Sequence, residues 1–142
     1  MIEVALAVLP KDGCFLMQLR DNIPGIVYPG YWGLFGGHLE PEETPEVSLK
    51  RELVEEIGYS PESVFEFNSY QEGEVIRHVF YAPLTVTLEQ LELKEGWDFG
   101  LVTLAEIEAG CRYSAKAGMV REIGSPHRKI LLDFVKEFGC RE

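Results

Sequence analysis

Gly36-Gly37-His38-Leu39-Glu40-Pro41-Glu42-Glu43-Thr44-Pro45-Glu46-Val47-Ser48-Leu49-Lys50-Arg51-Glu52-Leu53-Val54-Glu55-Glu56-Ile57-Gly58-Tyr59 is the stretch on which the reading of this chain turns. A Gly-Gly turn runs into an amphipathic helix. Thr44 takes the N-cap position, Pro45 the first helical position and Glu46 the first turn. Gly58 closes the helix as a C-terminal glycine does.

On a helical wheel Leu49, Leu53, Val54 and Ile57 span an arc of about 140°. Glu52, Glu55 and Glu56 span about 100° on the opposite side, at spacings that let all three side chains converge. Like charges so spaced destabilise a helix by about 0.2–0.5 kcal/mol per pair. Glu55 and Glu56 also lie in the last turn, where the helix dipole favours cations by about 0.3–1 kcal/mol. One reading is a solvated face, because Glu is a good helix former. Two features weigh against it. Only Lys50 and Arg51 are near enough in the chain to neutralise the cluster, and a Gly-Gly backbone leads directly into it. Hard oxygen ligands on one face suit Mg²⁺ or Mn²⁺. His38, His78 and His127 are scattered and suggest no softer metal.

Outward from the helix, strands are expected at residues 2–9 and Cys14 to Leu19, joined as a hairpin through Lys11-Asp12-Gly13. Asp21 to Gly33 reads as a loop. Residues 63–70 and 75–88 read as strands, and Trp97 to Val102 as a further one. Thr103 to Glu106 is a capping-box pattern for a short helix ending at Gly110. Arg112 to Gly124 reads as loop. Ser125-Pro126 opens a last helix carrying Ile130, Leu131, Phe134, Val135 and Phe138 at helical spacing. This irregular alternation predicts an α/β fold, a mixed sheet flanked by helices.

The 142 residues suit one domain, 1–142, with a single core. No repeat or linker composition suggests a second. The apolar run Val4 to Leu9 is too short to span a bilayer and lacks a basic flank, so neither membrane insertion nor a signal peptide is expected. Cys14, Cys111 and Cys140 are too far apart for a zinc motif or a disulfide framework, and a reduced cytoplasmic protein is expected. The net charge of −11 argues against a nucleic-acid polymer or an anionic membrane as partner. It leaves room for phosphate substrates once divalent cations fill a carboxylate site.

The stretch resembles the signature of the Nudix hydrolases. That pattern is Gly, five residues, Glu, seven residues, then Arg-Glu-apolar-x-Glu-Glu-x-Gly-apolar. Here it reads Gly37, Glu43, then Arg51-Glu52-Leu53-Val54-Glu55-Glu56-Ile57-Gly58-Tyr59. The resemblance implies the family's α/β/α sandwich. It also implies hydrolysis of a pyrophosphate bond in a nucleoside diphosphate linked to a group X: a nucleoside triphosphate, an oxidised nucleotide, ADP-ribose or a nucleotide sugar. By position it makes Glu52, Glu55 and Glu56 ligands of Mg²⁺ (or Mn²⁺), with the Gly37 carbonyl. Glu52 or Glu55 would act on the attacking water. Arg51 would pair with Glu43 in a structural role. Some members add an acid from a later loop, a place that Glu95-Gly96 fits; otherwise Glu95 is an ordinary loop carboxylate. The chain departs from many members at Phe35, where they carry Pro, and at Glu42, where they carry Gly. Neither departure removes a ligand. A non-catalytic nucleotide-sensing module on the same fold is the alternative, and intact motif glutamates favour the enzyme.

The group X is not legible. Arg20, ending a strand, is a candidate for a phosphate or an exposed strand-end charge. Trp32 and Phe35, flanking the Gly-rich loop, are candidates for stacking on a base or for core packing. His127, Arg128 and Lys129 stand at a helix start, where an anion or plain solvent fits. No P-loop lysine is present, which excludes that class of kinase or ATPase. No feature marks a dimer surface, and a homodimer stays open.

Overall fold

The structure is a computed structural model and describes residues 1–139. In chain order its elements are β1 (Ile2–Val8), β2 (Pro10–Lys11), β3 (Cys14–Leu19), β4 (Trp32–Gly33), β5 (Phe35–His38), α1 (Pro45–Ile57), β6 (Phe65–Glu72), β7 (Val75–Tyr81), β8 (Asp98–Val102), α2 (Leu104–Ala109), β9 (Cys111–Ser114), β10 (Met119–Glu122) and α3 (Ser125–Phe138). They divide into two units. The first joins Met1–Leu9 to Phe35–Lys94; the second joins Pro10–Leu34 to the described residues from Glu95 onward.

The first unit is built on a four-stranded sheet in the order β5-β1-β7-β6. β1 runs parallel to β7 and antiparallel to β5, while β6 and β7 are antiparallel, so the sheet is mixed as expected. Ala5 to Val8 are all buried, which matches an unbroken apolar run covered on both faces. α1 packs against β5 and β1 with Leu49, Leu53 and Ile57 fully buried. Each such side chain stabilises the fold by about 1.5–3 kcal/mol. That exceeds the few tenths per pair lost to glutamate repulsion, so the helix holds despite its charges. β7 stops at Tyr81, short of the expected residue 88. Pro83 follows closely and has no N–H to continue a ladder.

In the second unit β3 pairs antiparallel with β2, β4 and β8. The expected hairpin between the first two strands is therefore much shorter: only Pro10–Lys11 turn back onto Cys14–Phe15, whereas β1 is committed to β5 and β7. Phe15 meets Phe134 of α3 edge to face at 5.9 Å. α2 carries the expected capping box, Thr103 with Glu106, and the expected Gly110 terminator. Arg112 to Gly124 is not a loop but mostly the β9–β10 hairpin. Its turn is organised by Ser114, whose Oγ donates to Asp98 Oδ2 at 2.7 Å and accepts from the Ala117 N–H at 3.0 Å. Four-residue strands are too short to show a clear period.

The acid is unevenly shared. The first unit holds only Lys50, Arg51, Arg77 and Lys94 as Lys/Arg cations, against fourteen Asp and Glu. Among the described residues, no helix is long and apolar enough to cross a membrane, and neither Cys14 nor Cys111 is in a disulfide. Cys140 lies outside the described residues.

Candidate active site

α1 begins and ends as its sequence dictates. Thr44 Oγ1 accepts the Val47 N–H at 3.2 Å, Pro45 opens the first turn, and Gly58 closes the helix at φ 67°. These caps fix the rotation at which the glutamates leave the helix.

Arg51 is the hub of the motif. Its Nε donates to Glu43 Oε2 at 2.6 Å and its Nη2 to Glu43 Oε1 at 3.0 Å, a two-point fork. Its Nη1 lies 3.3 Å from Glu52 Oε2 and from both Glu55 carboxylate oxygens. Glu43 Oε1 also accepts the Glu40 N–H at 2.8 Å, which ties the loop before the helix to the helix itself. The Arg51 bond, followed by the Glu40 N–H, lowers the Glu43 carboxyl to about 2. Arg51 is correspondingly raised, first by Glu43 and then by Glu55 and Glu52. In that loop Glu42 adopts φ 69°, a left-handed conformation that explains why many sequences of this pattern carry glycine there.

The three helix glutamates differ sharply. Glu55 is half exposed, whereas the Glu52 side chain is only 15% exposed. Glu56 is buried at 5% and accepts the Gly36 N–H on Oε1 at 3.2 Å. The acidic arc is therefore not a solvent face opposite the core: Glu56 belongs to the buried side, and Val54, assigned to the apolar arc, is exposed. The sheet edge causes this, because β5 brings a backbone donor to the Glu56 side of the helix. Gly37 is a cradle. A Cβ placed there would come within 2.6 Å of Glu52 Cδ and 3.0 Å of Oε1. Only glycine lets the Glu52 carboxylate lie against this backbone.

A feature with no local sequence signal completes the helix end. The N–H groups of Glu92 and Lys94 bond the carbonyls of Ile57 and Glu56 at 3.3 and 2.8 Å. The last turn of α1 holds no basic residue, yet the Lys94 ammonium lies beside Gly58, 3.8 Å from where its Cβ would stand. A cation for the helix end thus comes from far along the chain, where the dipole favours it.

The remaining candidates are placed differently. Trp32 and Phe35 are 1% and 0% exposed, so both are core side chains rather than open stacking surfaces. Trp32 Nε1 donates to the Arg112 carbonyl at 3.1 Å and the Arg112 guanidinium lies 5.4 Å from its ring centroid. Arg20 Nε donates to the Val27 carbonyl at 2.7 Å. Glu95 is exposed, in the second unit just before β8. His127 accepts the Leu34 N–H on Nδ1 at 3.0 Å, and Arg128 caps the α2 end by donating to the carbonyls of Ile107 and Glu108 at 2.7 Å.

Among the described residues, no three His, Cys, Asp or Glu side chains are gathered tightly enough to hold a cation as they stand. Arg51 bridges Glu52 and Glu55, and Glu56 is bonded to Gly36. The donor chemistry nevertheless fits a hard divalent ion: carboxylate oxygens on one helix, beside a glycine backbone with no side chain in the way.

A stretch of 56 residues is 41% identical to the nucleoside triphosphatase NudI of Salmonella arizonae, covering 39% of this chain. The match spans only 38% of that relative's length. The structure resembles the MutT protein of Methanosarcina mazei Go1 with a TM-score of 0.71 and 24% identity, over 96% of this chain and 94% of that one. It also resembles the NUDIX domain of Shewanella oneidensis NrtR, solved with ADP-ribose, with a TM-score of 0.73 and 16% identity, over 96% and 88%. These likenesses establish the α/β Nudix fold. Because the NUDIX domain model matches residues 1–123, through the whole glutamate motif, this chain belongs to the Nudix family.

Proposed function

We propose that this protein is a divalent-metal-dependent pyrophosphohydrolase acting on a small nucleoside diphosphate-X substrate, with the chain working as one domain over 1–142. The observation that carries the reading is the Glu52 carboxylate seated on Gly37 and held by an arginine that is itself clamped by Glu43. Family membership and the likeness to a nucleoside triphosphatase support the reaction class.

Glu52, Glu55 and Glu56, with the Gly37 carbonyl, would hold Mg²⁺ or Mn²⁺, and Glu95 is a further candidate. The ion, when bound, neutralises phosphate charge and makes bound water acidic. The chain's own part is positioning. Glu43 and Arg51 fix the loop and the helix relative to one another. Glu56, tied to Gly36, fixes the strand against the helix. Glu55, exposed at the helix surface, is the group best placed to take a proton from water on its carboxylate oxygen, with Glu52 the second candidate. Phosphoryl chemistry needs little more than such positioning and charge neutralisation.

The test is a substrate panel with Mg²⁺, products identified: nucleoside triphosphates, oxidised nucleotides, ADP-ribose, nucleotide sugars and dinucleoside polyphosphates. Turnover of one class with release of a phosphate or nucleoside monophosphate is expected. Binding of ADP-ribose or a nucleotide without turnover of anything would favour the sensing module. Melting with and without Mg²⁺ gives a second readout. A rise in melting temperature with Mg²⁺, lost in Glu52→Gln, is expected because a ligand of the folded state stabilises it.

A further inference from the structure

Two glycines of the second unit form a slot for the His127 ring. A Cβ on Gly33 would stand 3.4–3.6 Å from its Cε1, Nδ1 and Nε2, and one on Gly124 would stand 3.3 Å from its Cδ2. Tyr28 closes a third side, its ring meeting the imidazole edge to face at 6.2 Å. Tyr28 holds φ 53°, a left-handed backbone that a bulky residue rarely adopts and that its packing must maintain. The Gly124 N–H donates to the Trp32 carbonyl at 2.9 Å, which joins the start of α3 to β4.

Inside this slot the protonation of the ring is dictated. The Leu34 backbone N–H can only donate, and it meets Nδ1 at 3.0 Å. Nδ1 is therefore the bare nitrogen, Nε2 carries the proton, and the ring is neutral. A second proton would have to go to Nδ1, setting two donors against each other. Leu34 is 2% exposed, so its N–H would then be buried without an acceptor. The charges nearby oppose the second proton as well. His127 lies in the first turn of the 14-residue α3, at the positive end of the helix dipole. Arg128 and Lys129 follow it on the same helix. Of the segments packed against the ring, the loop before β4 contributes Tyr28, and Gly33 and Leu34 contribute no titratable side chain. The nearest carboxylate along the chain is Glu122, two residues before Gly124.

We propose that His127 is a pH-operated latch: neutral, it clasps the chain after β4 to the start of α3, and protonated, it leaves the slot and frees the Leu34 N–H. A released imidazole takes up its proton at about pH 6.5. The seated ring binds that proton less well, so the latch stabilises fully above this pH and is lost as pH falls below it.

The experiment compares wild type with His127→Asn, whose amide oxygen stands the same number of bonds from the backbone as Nδ1 and does not titrate. Hydrogen exchange of the Leu34 amide is followed in both from pH 7.5 to 5.5, corrected for intrinsic exchange. At pH 5.5 a released imidazole is about ten parts charged to one neutral. Protection of Leu34 should therefore fall about tenfold in wild type and less than twofold in His127→Asn. His38 and His78, both in the first unit, titrate alike in the two proteins and cancel in the comparison. Nitrogen–proton correlation spectra of the wild-type imidazole at pH 7.5 give a second readout, with a bare Nδ1 and a protonated Nε2 expected. A proton on Nδ1 at that pH overturns the proposal. So does an equal loss of Leu34 protection in both proteins, or none in wild type. If His127→Asn does not fold, the wild-type spectra carried down to pH 5.5 decide. The charged ring should appear together with the loss of Leu34 protection, and a charged ring with Leu34 still protected overturns the proposal. Neither readout requires a substrate.

Discussion

Replacing Gly36 and Gly37 one at a time by alanine sets two adjacent glycines with opposite consequences against each other. Gly36 has φ 143°, and a Cβ there would lie 2.9 Å from the Ala5 carbonyl carbon and from Leu6 Cα, nearer still to the Ala5 oxygen. All three atoms are buried backbone of β1 and cannot turn away. Gly36→Ala must therefore part β5 from β1 and release the Gly36 N–H from Glu56. Two or three lost hydrogen bonds at about 1 kcal/mol each, with about 1–3 kcal/mol of backbone strain, give a loss of about 4 kcal/mol. For a chain of this size that lowers the melting temperature by about 10–15 °C. Gly37→Ala meets only the end of the Glu52 side chain, which can rotate at about 0.5–1.5 kcal/mol. It should melt within about 5 °C of wild type. Moving that carboxylate by about 1 Å, however, should lower turnover by about a hundredfold. Scanning calorimetry and turnover of the best panel substrate read both effects. A Gly36→Ala protein melting within 3 °C of wild type refutes the packing argument. A fully active Gly37→Ala protein refutes the role given to the Glu52 seat.

Three further outcomes are expected. The Glu43 carboxyl sits at about 2 rather than its ordinary 4.5, so its stabilising contribution is complete above about pH 4.5 and is lost as pH falls toward 2. Urea midpoints of Glu43→Gln should consequently fall less steeply across that window than those of wild type. Glu55→Gln should keep the circular dichroism spectrum and lose most activity, because Glu55 is half exposed and holds no core contact that the amide would break; full activity would remove Glu55 from the proposed machinery. Glu42→Gly relieves a left-handed backbone at φ 69° but adds freedom to the unfolded chain, so urea titration should place its stability within about 1 kcal/mol of wild type. A larger loss would mean that the Glu42 side chain does something this geometry does not explain.

Local chemistry made α1 legible. Thr44, Pro45 and Gly58 each act through their own backbone preferences, and the structure reproduces both helix ends. What the wheel could not supply was the width of the surface that α1 rests on. Leu49, Leu53 and Ile57 give a direction, but the Gly36 N–H extends the buried arc as far as Glu56. Val54 lies beyond the other edge of that arc. The Arg51–Glu43 pair was legible only through the family pattern, since eight residues separate its partners. The β9–β10 hairpin escaped because strands of four residues carry too little period, and Arg112 and Arg121 look like loop charges until they are paired. Trp32 and Phe35 could be read as surface or core, and only packing decided between them.

The two backbone bonds from Glu92 and Lys94 onto the last carbonyls of α1 have a kinetic consequence. Helix ends ordinarily fray, and their amides exchange with solvent ahead of the core. Here the helix terminus and a distant segment open together or not at all. The Lys94 amide should therefore exchange with deuterium at the same rate as amides in the last turn of α1. Its protection then becomes a reporter, outside the motif, of whether the glutamate-bearing end is closed.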